Sequence, residues 1–181
     1  VIDPIYLVNK HGLDPLRYFL FREIPFGGDG DFSIKRFEER YNSDLANGIG
    51  NLVARVLTLA IKNSTQYADS SKDKEILNKI KDTRKNYEKD MEKFKLYEAL
   101  EEIWKLISFC DEYIEREKPW KLFSSNPKSE ARNPKLEKVL ENLLYCISEI
   151  ADLIAPFLPE TSEKIKEQIK TGKSEILFPR I

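Results

Sequence analysis

Residues 33–63 read SIKRFEERYNSDLANGIGNLVARVLTLAIKN, and this stretch sets the fold class. Ser33 is suited to cap a helix at its start. Behind it, apolar residues recur at steps of three and four, the spacing of one helical face: Phe37, Tyr41, Leu45, Ile49, Leu52, Val56 and Leu59. The pattern predicts one long helix that runs to about Asn63. Glycine weakens a helix interior, so we expect a bend near Gly48 or Gly50.

Three later stretches repeat this periodicity and predict three more main helices. The first is expected to be capped by Ser71 or Asp73, the second to stop at Pro119, and the third to be closed by Pro156 and Pro159. A short fifth helix over residues 161–170 and an extended tail over residues 176–179 follow. The apolar faces of the three main helices are Ile76, Leu77, Ile80, Tyr87 and Met91; Leu96, Ala99, Leu100, Ile103, Trp104, Ile107, Cys110 and Ile114; and Leu136, Val139, Leu140, Leu143, Ile147, Ile150 and Ile154.

The segments outside these helices are less regular. Residues 1–33 are expected to be the irregular part, with a short helical pattern (Ile5, Leu7, Val8) that Gly12 stops and a second apolar run from Leu16 to Ile24 that Pro25 ends. The loop GGDGD at 27–31 carries two aspartates, which would repel phosphate, and no Gly-Lys-Ser/Thr follows, so we reject a nucleotide site there. Residues 124–134 form the longest linker. No β-α-β rhythm appears, so the predicted class is all-α, a bundle of four main helices plus a short fifth.

The composition limits the kinds of partner and location that the chain can have. Thirty basic and 31 acidic residues among 181 give a net charge of −1, so no global field attracts nucleic acid and any RNA site must be local. No apolar run is long enough to span a bilayer, and residues 1–4 carry no signal-peptide features, which predicts a cytoplasmic protein. Cys110 and Cys146 lie in apolar helical patterns and are expected to be buried and reduced. With His11 as the single histidine, no metal site is expected.

Asn51 and Arg55 lie four residues apart on the first long helix, and Lys62 falls two turns further along nearly the same line. Arginine offers a planar fork and asparagine both a donor and an acceptor, which together suit the edge of an unpaired base. The alternative is an ordinary solvated helix face, and spacing alone does not decide between the two.

Pro119 and Trp120 follow the end of the third long helix. A large indole behind a rigid corner can stand on the surface as a stacking platform for a base, worth ~1–3 kcal/mol. The alternative is a tryptophan that plugs the base of the bundle. Trp104, by contrast, lies on the apolar stripe and is predicted to be core.

Several segments together resemble the methionyl-tRNA synthetase family over essentially the whole chain. The opening VIDP (1–4) and HGLDPLRYFL (11–20) look like the segment after the Lys-Met-Ser-Lys-Ser signature, and the leucine, valine and isoleucine enzymes share it. The resemblance to the methionine enzyme rests on REIPFG (22–27), DGDFS (29–33), NSDLAN (42–47), GNLVAR (50–55), YI (113–114) before PW (119–120), PFLPE (156–160) and LFPRI (177–181).

The resemblance implies two parts. Residues 1–33 would belong to the stem-contact fold that joins the catalytic domain to the helices, and residues 34–181 would form the α-helical anticodon-binding domain. Family positions that contact the CAU anticodon of methionine tRNA correspond to Asn51, Arg55 and Trp120 here, and Pro119, Lys62 and Glu115 complete the set of candidate site residues.

Asp111 and Glu115 depart from a simple RNA-binding surface. Relatives often have Asn where this chain has Asp111, and a carboxylate next to RNA costs affinity unless a partner neutralises it. Direct RNA contacts by these two residues are therefore doubtful, although Glu115 could accept a hydrogen bond from a cytosine amino group.

The family's catalytic machinery is missing from this sequence. That machinery is a Rossmann domain with a His-Ile-Gly-His type motif, a Lys-Met-Ser-Lys-Ser loop and often a zinc knuckle, whereas the chain has one His and no Lys-Met pair. It is therefore expected neither to activate methionine nor to bind ATP or another cofactor, and Val1 is expected to be a cut end. The resemblance implies a parent ligase that uses ATP, magnesium and methionine. Methionine tRNA and the catalytic domain are the expected partners, without DNA or a membrane.

Two alternatives remain open. One is a helical protein-interaction bundle without RNA binding, which the acidic run at 111–117 favours slightly; the other is the matching domain of another class Ia synthetase. The discriminating observation is whether Asn51, Arg55 and Trp120 converge on one exposed patch. That convergence requires the first and third long helices to pack side by side.

Overall fold

The structure is a computed structural model that describes residues 3–23, 32–68, 70, 72–123 and 133–181. It confirms the all-α class, since no strand occurs in these ranges. The predicted loop at 27–31, the cap candidate Ser71 and the linker at 124–132 lie outside them. The helices are α1 (Pro4–His11), α2 (Leu13–Glu23), α3 (Ile34–Arg40), a π-helical segment (Tyr41–Gly50), α4 (Asn51–Lys62), α5 (Lys74–Glu92), α6 (Leu96–Glu117), a 3₁₀ turn (Pro119–Lys121), α7 (Pro134–Ile154) and α8 (Pro159–Thr171).

The first long helix is continuous from residue 34 to residue 62. Its predicted cap is confirmed, because Ser33 Oγ accepts a hydrogen bond from the Arg36 amide at 3.1 Å. The expected bend near Gly48 or Gly50 is replaced by the ten-residue π-helical segment. The buried side chains in this region are spaced four residues apart throughout. Residues at this spacing stay on one helix face when each turn contains more residues than an α-helical turn. They are Phe37, Tyr41, Leu45 and Ile49.

The other predicted main helices are present, and their apolar faces form most of the core. α5 and α6 run antiparallel, as Arg116 bonds Glu75 and Asn86 bonds Glu102. α6 ends where predicted, because Lys118 adopts a left-handed conformation (φ 47°) and Pro119 cannot extend an α-helix. Asp73 takes the N-cap position of α5, although its carboxylate accepts from Asn142 instead of the first helical turn.

Some side chains of the predicted faces are less buried than expected. Leu77 is exposed, and Met91, Leu96 and Trp104 are half-buried against the core. Cys110 and Cys146 are free thiols and fully buried, which confirms the burial predicted from the sequence.

Residues 4–23 form two helices: the short helical pattern that Gly12 stops is confirmed, and the second apolar run, in a part expected to be irregular, is a further helix. Asp3 caps α1 by accepting from the Ile5 amide at 2.9 Å, and Gly12, at φ 89°, separates α1 from α2. α2 packs onto the bundle, with Tyr18 and Phe19 buried. The apolar run near residue 16 therefore marks a helix that buries one face against the rest of the chain.

Asp14 of α2 caps a different helix, α8. The residue at the N-cap position of α8 is Leu158, which offers no side-chain oxygen. Asp14 is buried, and its Oδ2 accepts from both the amide (2.6 Å) and the hydroxyl (2.7 Å) of Thr161 in the first turn. A carboxylate at the positive end of a helix satisfies otherwise unpaired amides and interacts favourably with the helix dipole.

We expect Asp14→Ala to lower the free energy of unfolding by ~1–3 kcal/mol, because it leaves the buried Thr161 amide without a partner. The measurement is urea unfolding followed by circular dichroism. Thr161→Val, which removes the hydroxyl and keeps the capped amide, is the matched control and should cost less. An Asp14→Ala variant as stable as the parent would show that the cap contributes nothing.

The C-terminal tail packs against the π-helical segment. The Phe178 ring is buried and meets the Tyr41 ring edge-on, with centroids 5.9 Å apart. Asn42 exchanges two hydrogen bonds with the backbone of Ile181, at 2.7 and 3.1 Å, and Arg180 donates to Asn47 Oδ1 at 2.6 Å. The tail has no regular structure, as expected, and is held in place at its very end.

Candidate nucleic-acid interface

The helices that carry the predicted site residues, α4 and α6, lie side by side. Arg55 on α4 reaches Asp111 at 3.4 Å and Glu115 at 2.7 Å on α6. At the C-terminal end of α4, the Lys62 ammonium lies 4.5 Å from the centroid of the Phe123 ring, which follows the end of α6 in the chain. Residue numbers rise together along both helices, so α4 and α6 run parallel at this surface. The predicted side-by-side packing of these helices is confirmed.

Asn51 begins α4 and is exposed. Its side chain has no hydrogen-bond partner within the described ranges, so its donor and acceptor both face solvent. Arg55 follows one turn later, about 6 Å along the helix axis at a rise of 1.5 Å per residue. The two side chains are thus adjacent on one exposed helix edge.

Arg55 is held between two carboxylates in the free protein. Its side chain is half-buried, whereas the Glu115 side chain is 61% exposed. Burial raises the pKa of Asp111, Arg55 opposes that shift, and the Glu115 charge adds to it. Sequence reasoning left direct RNA contacts by both carboxylates doubtful, apart from a cytosine contact for Glu115, and missed this pairing, which neutralises them in part.

Trp120 is presented outward by a tight corner. Lys118 turns the chain through a left-handed conformation, Pro119 is buried, and the 3₁₀ turn leaves the Trp120 side chain 43% exposed. The structure therefore has Pro119, and not Trp120, filling the end of the bundle. Trp120 follows Glu115 by five positions, across the end of α6.

Trp104 has a different environment from Trp120. It is half-buried, and its ring lies 4.7 Å from the Tyr18 ring, centroid to centroid. Its indole Nε1 has no hydrogen-bond partner among the described groups and lies 3.5 Å from where a Cβ on Gly48 would be. Trp104 therefore serves packing, as predicted.

A basic corner borders the exposed indole along the chain, because Lys118 and Lys121 flank Trp120 in sequence and Lys62 reaches Phe123. We use this name for Lys62, Lys118, Lys121 and the ring of Phe123. The three lysines are exposed, and none has an ion-pair partner within the described part of the chain. Phe123 was missed by sequence reasoning, although an aromatic residue three positions after Trp120 was a usable signal. The corner combines positive charge with two aromatic rings, a combination typical of single-stranded nucleic-acid sites.

The described ranges hold neither a metal cluster nor a membrane-crossing helix. No group of three or more His, Cys, Asp or Glu side chains there is arranged to bind a metal ion. None of the described helices is long and apolar enough to cross a membrane.

Two family models match this chain, one in its N-terminal part and one in its C-terminal part. Residues 73–179 match the model described as the anticodon-binding domain of tRNA ligase, and residues 1–57 match that of class I tRNA synthetases (M). The methionine–tRNA ligase of Clostridium tetani is 40% identical over the whole chain, which covers 32% of that protein, and that of Bacillus subtilis is 36% identical, with 31% covered. The chain spans about a third of the length of these curated relatives.

Solved structures give the same result. The free form of Mycobacterium tuberculosis methionyl-tRNA synthetase aligns with 100% of this chain and 41% of its own, with a TM-score of 0.84 and 28% identity. The same enzyme bound by methionyl-adenylate aligns with 92% of this chain and 34% of its own, with a TM-score of 0.83 and 31% identity. The matched family model covers more than half of the sequence, and the chain therefore belongs to the anticodon-binding domain family of tRNA ligases.

Proposed function

We propose that this chain recognises the CAU anticodon of methionine tRNA as part of a methionine–tRNA ligase. The observation that carries the proposal is the pairing of α4 with α6 through Arg55 and Glu115, with Asn51 at the start of α4 and Trp120 just past the end of α6 both exposed. Pro119, Lys62 and Glu115 complete the proposed site.

Each side chain has a distinct role in the proposed mechanism. Trp120 stacks under an unpaired anticodon base, an interaction open to any base because every base has a π-face. Asn51 and Arg55 hydrogen-bond base edges that are free only in a single-stranded loop. Glu115, the more exposed of the two Arg55 partners, accepts from the amino group of the cytosine.

Local charge supports this assignment on a chain whose net charge is −1. Lys62, Lys118 and Lys121 concentrate positive charge where the phosphates of a bound loop would pass. Three of the four acidic residues at 111–117 have ion-pair partners among the described residues: Asp111 and Glu115 share Arg55, and Glu117 lies 3.2 Å from Lys135. The acidic run that favoured a protein-interaction bundle is thus partly neutralised.

The whole protein is proposed to attach methionine to its tRNA with ATP and magnesium, in the cytoplasm, through a catalytic domain that is not in this chain. The curated relatives are methionine–tRNA ligases, which argues against another class Ia synthetase. Residues 1–33 are proposed to be its stem-contact part. Exposed apolar side chains on α1 and α2 suit packing against that catalytic domain: Ile5, Tyr6, Leu13 and Leu20.

A direct binding experiment tests the proposed function. The chain is titrated at fixed salt with a labelled stem-loop that carries CAU, and with a duplex of the same stem that lacks the loop. Recognition of unpaired bases predicts binding of the stem-loop and weak, salt-sensitive binding of the duplex. Equal binding of both would refute a loop-reading surface.

We expect Lys62→Ala to reduce the salt dependence of stem-loop binding, because it removes a cation from the basic corner. The slope of log K against log salt should become shallower by about 0.7 for each phosphate of a single strand that the lysine neutralised. Lys164→Ala, an exposed lysine on α8, is the matched control and should leave the slope unchanged. An unchanged slope in Lys62→Ala would remove Lys62 from the site.

A further inference from the structure

We infer that the π-helical segment, fixed by Gly50 and by the C-terminal tail, sets the rotational register that presents Asn51 and Arg55 to the anticodon. This inference rests on the proposed function and adds Gly50, a buried residue that contacts no RNA, as a positioning residue. π-helical turns are rare, occur mostly as single turns within α-helices, and are frequent at functional sites. Here the segment ends at the residue directly before Asn51.

Gly50 is the position where the wide turn depends on the absence of a side chain. A Cβ at Gly50 would lie 2.9 Å from the backbone carbonyl oxygen of Leu45, five residues earlier. Real Cβ atoms do not approach a carbonyl oxygen so closely, so the backbone of the turn would have to move. Gly48, two residues away, has room: its Cβ would meet Trp104 Nε1 and the Ser43 carbonyl oxygen only at 3.5 and 3.6 Å.

The register matters because the helix is anchored on both sides of the segment. Before it, Arg36 and Arg40 of α3 bind Glu23 of α2. Within it, Asp44 accepts from the Tyr18 hydroxyl at 2.8 Å. With α3 fixed on α2, the number of residues per turn between residues 41 and 50 decides which way α4 faces.

The size of this rotation is large. An α-helix turns by about 100° per residue, and a helix with roughly one more residue per turn turns by roughly 80°. Over ten residues the difference accumulates to roughly half a turn. An α-helical segment of the same sequence would therefore aim Asn51 and Arg55 away from the α6 face that carries Glu115.

The tail supports the wide turns from outside. Phe178 lies where it would contact a Cβ of Gly50 at 3.6 Å and packs on Tyr41, while Asn42 and Asn47 hold the last two residues. These contacts span the segment from its first turn to its last.

The test compares Gly50→Ala with Gly48→Ala. Both replace glycine with a better helix former, so helix propensity favours both equally. Gly50→Ala is expected to lose about ten- to a hundredfold of the preference for CAU over a one-base-changed loop, while Trp120, beyond the end of α6, keeps residual binding to both loops. A loss of folded protein alone would scale down binding to both loops and leave their ratio unchanged. Gly48→Ala should keep the parent's preference.

A second variant covers the case in which Gly50→Ala does not fold. Asn42→Ala combined with Asn47→Ala adds no side chain to the core and releases the last two residues of the tail, while Phe178 stays packed, so it is expected to lower the CAU preference by a smaller factor. A folded Gly50→Ala with the parent's preference overturns the inference, as does an unchanged preference in the Asn42/Asn47 variant when Gly50→Ala is unfolded. If the parent itself shows no CAU preference, the proposed function has failed instead.

Discussion

Replacing Trp120 with Ala is expected to weaken binding of a CAU stem-loop by ~1–3 kcal/mol, the loss for one stacked base. The indole is 43% exposed and lies beyond the end of α6, so it is available as a platform without any rearrangement of the core. Because stacking tolerates any base, the loss should be similar for a loop with a changed anticodon. The measurement is a titration of both loops at one salt concentration.

The fold should tolerate this substitution. Trp120 lies off the apolar stripe of α6, and buried Pro119 fills the end of the bundle, so the loss in free energy of unfolding should stay well below the ~3–5 kcal/mol of a core tryptophan. Trp120→Phe keeps an aromatic face and is the matched control, with a smaller loss of binding. Unaltered binding in Trp120→Ala, with the fold intact, would rule out the stacking role.

Arg55→Ala should act on specificity. It removes the base-edge hydrogen bonds of the guanidinium and should narrow the preference for CAU over a changed anticodon by ~1–3 kcal/mol. It also leaves Asp111 and Glu115 without their common cation, so the pKa of Asp111 should rise further. The measurement is the ratio of affinities for the matched and the changed loop.

Two variants distinguish the planar hydrogen-bonding geometry of the Arg55 guanidinium from the effect of its charge. Arg55→Lys keeps the positive charge but cannot bond two acceptors in one plane, so it should lose CAU preference while keeping most of the salt dependence. Arg116→Ala removes an arginine of α6 that is paired with Glu75, and should affect neither property. If Arg55→Ala and Trp120→Ala both bind both loops like the parent, this surface does not read the anticodon.

The helical bundle could be predicted from sequence because its signals are local. α6 and α7 carry apolar residues at steps of three and four between clear stop residues, and the structure places the helices at 96–117 and 134–154. The cap at Ser33 and the stop at Pro119 each affect only the adjacent helical turn. Such features depend on few distant contacts, so the pattern suffices.

The features that sequence reasoning missed depend on distant partners. The carboxylates that hold Arg55 lie 56 and 60 residues away, and Asp14 caps a helix 147 residues away. A bend was predicted in place of the π-helical segment, because glycine destabilises a helix interior. In the structure Gly50 instead allows a close backbone approach to Leu45, since it has no Cβ. The repeat of four from residue 37 to residue 49 was the local signal for it.

The central claim, that this surface reads the anticodon, is tested most directly by the affinity of the unmodified chain for two stem-loops that differ by one base within CAU. Both are measured at the same salt concentration, since charge and readout are otherwise confused. A preference of ~1–3 kcal/mol for the CAU loop is predicted, the discrimination expected from base-edge hydrogen bonds. Equal affinity for the two loops would contradict the claim.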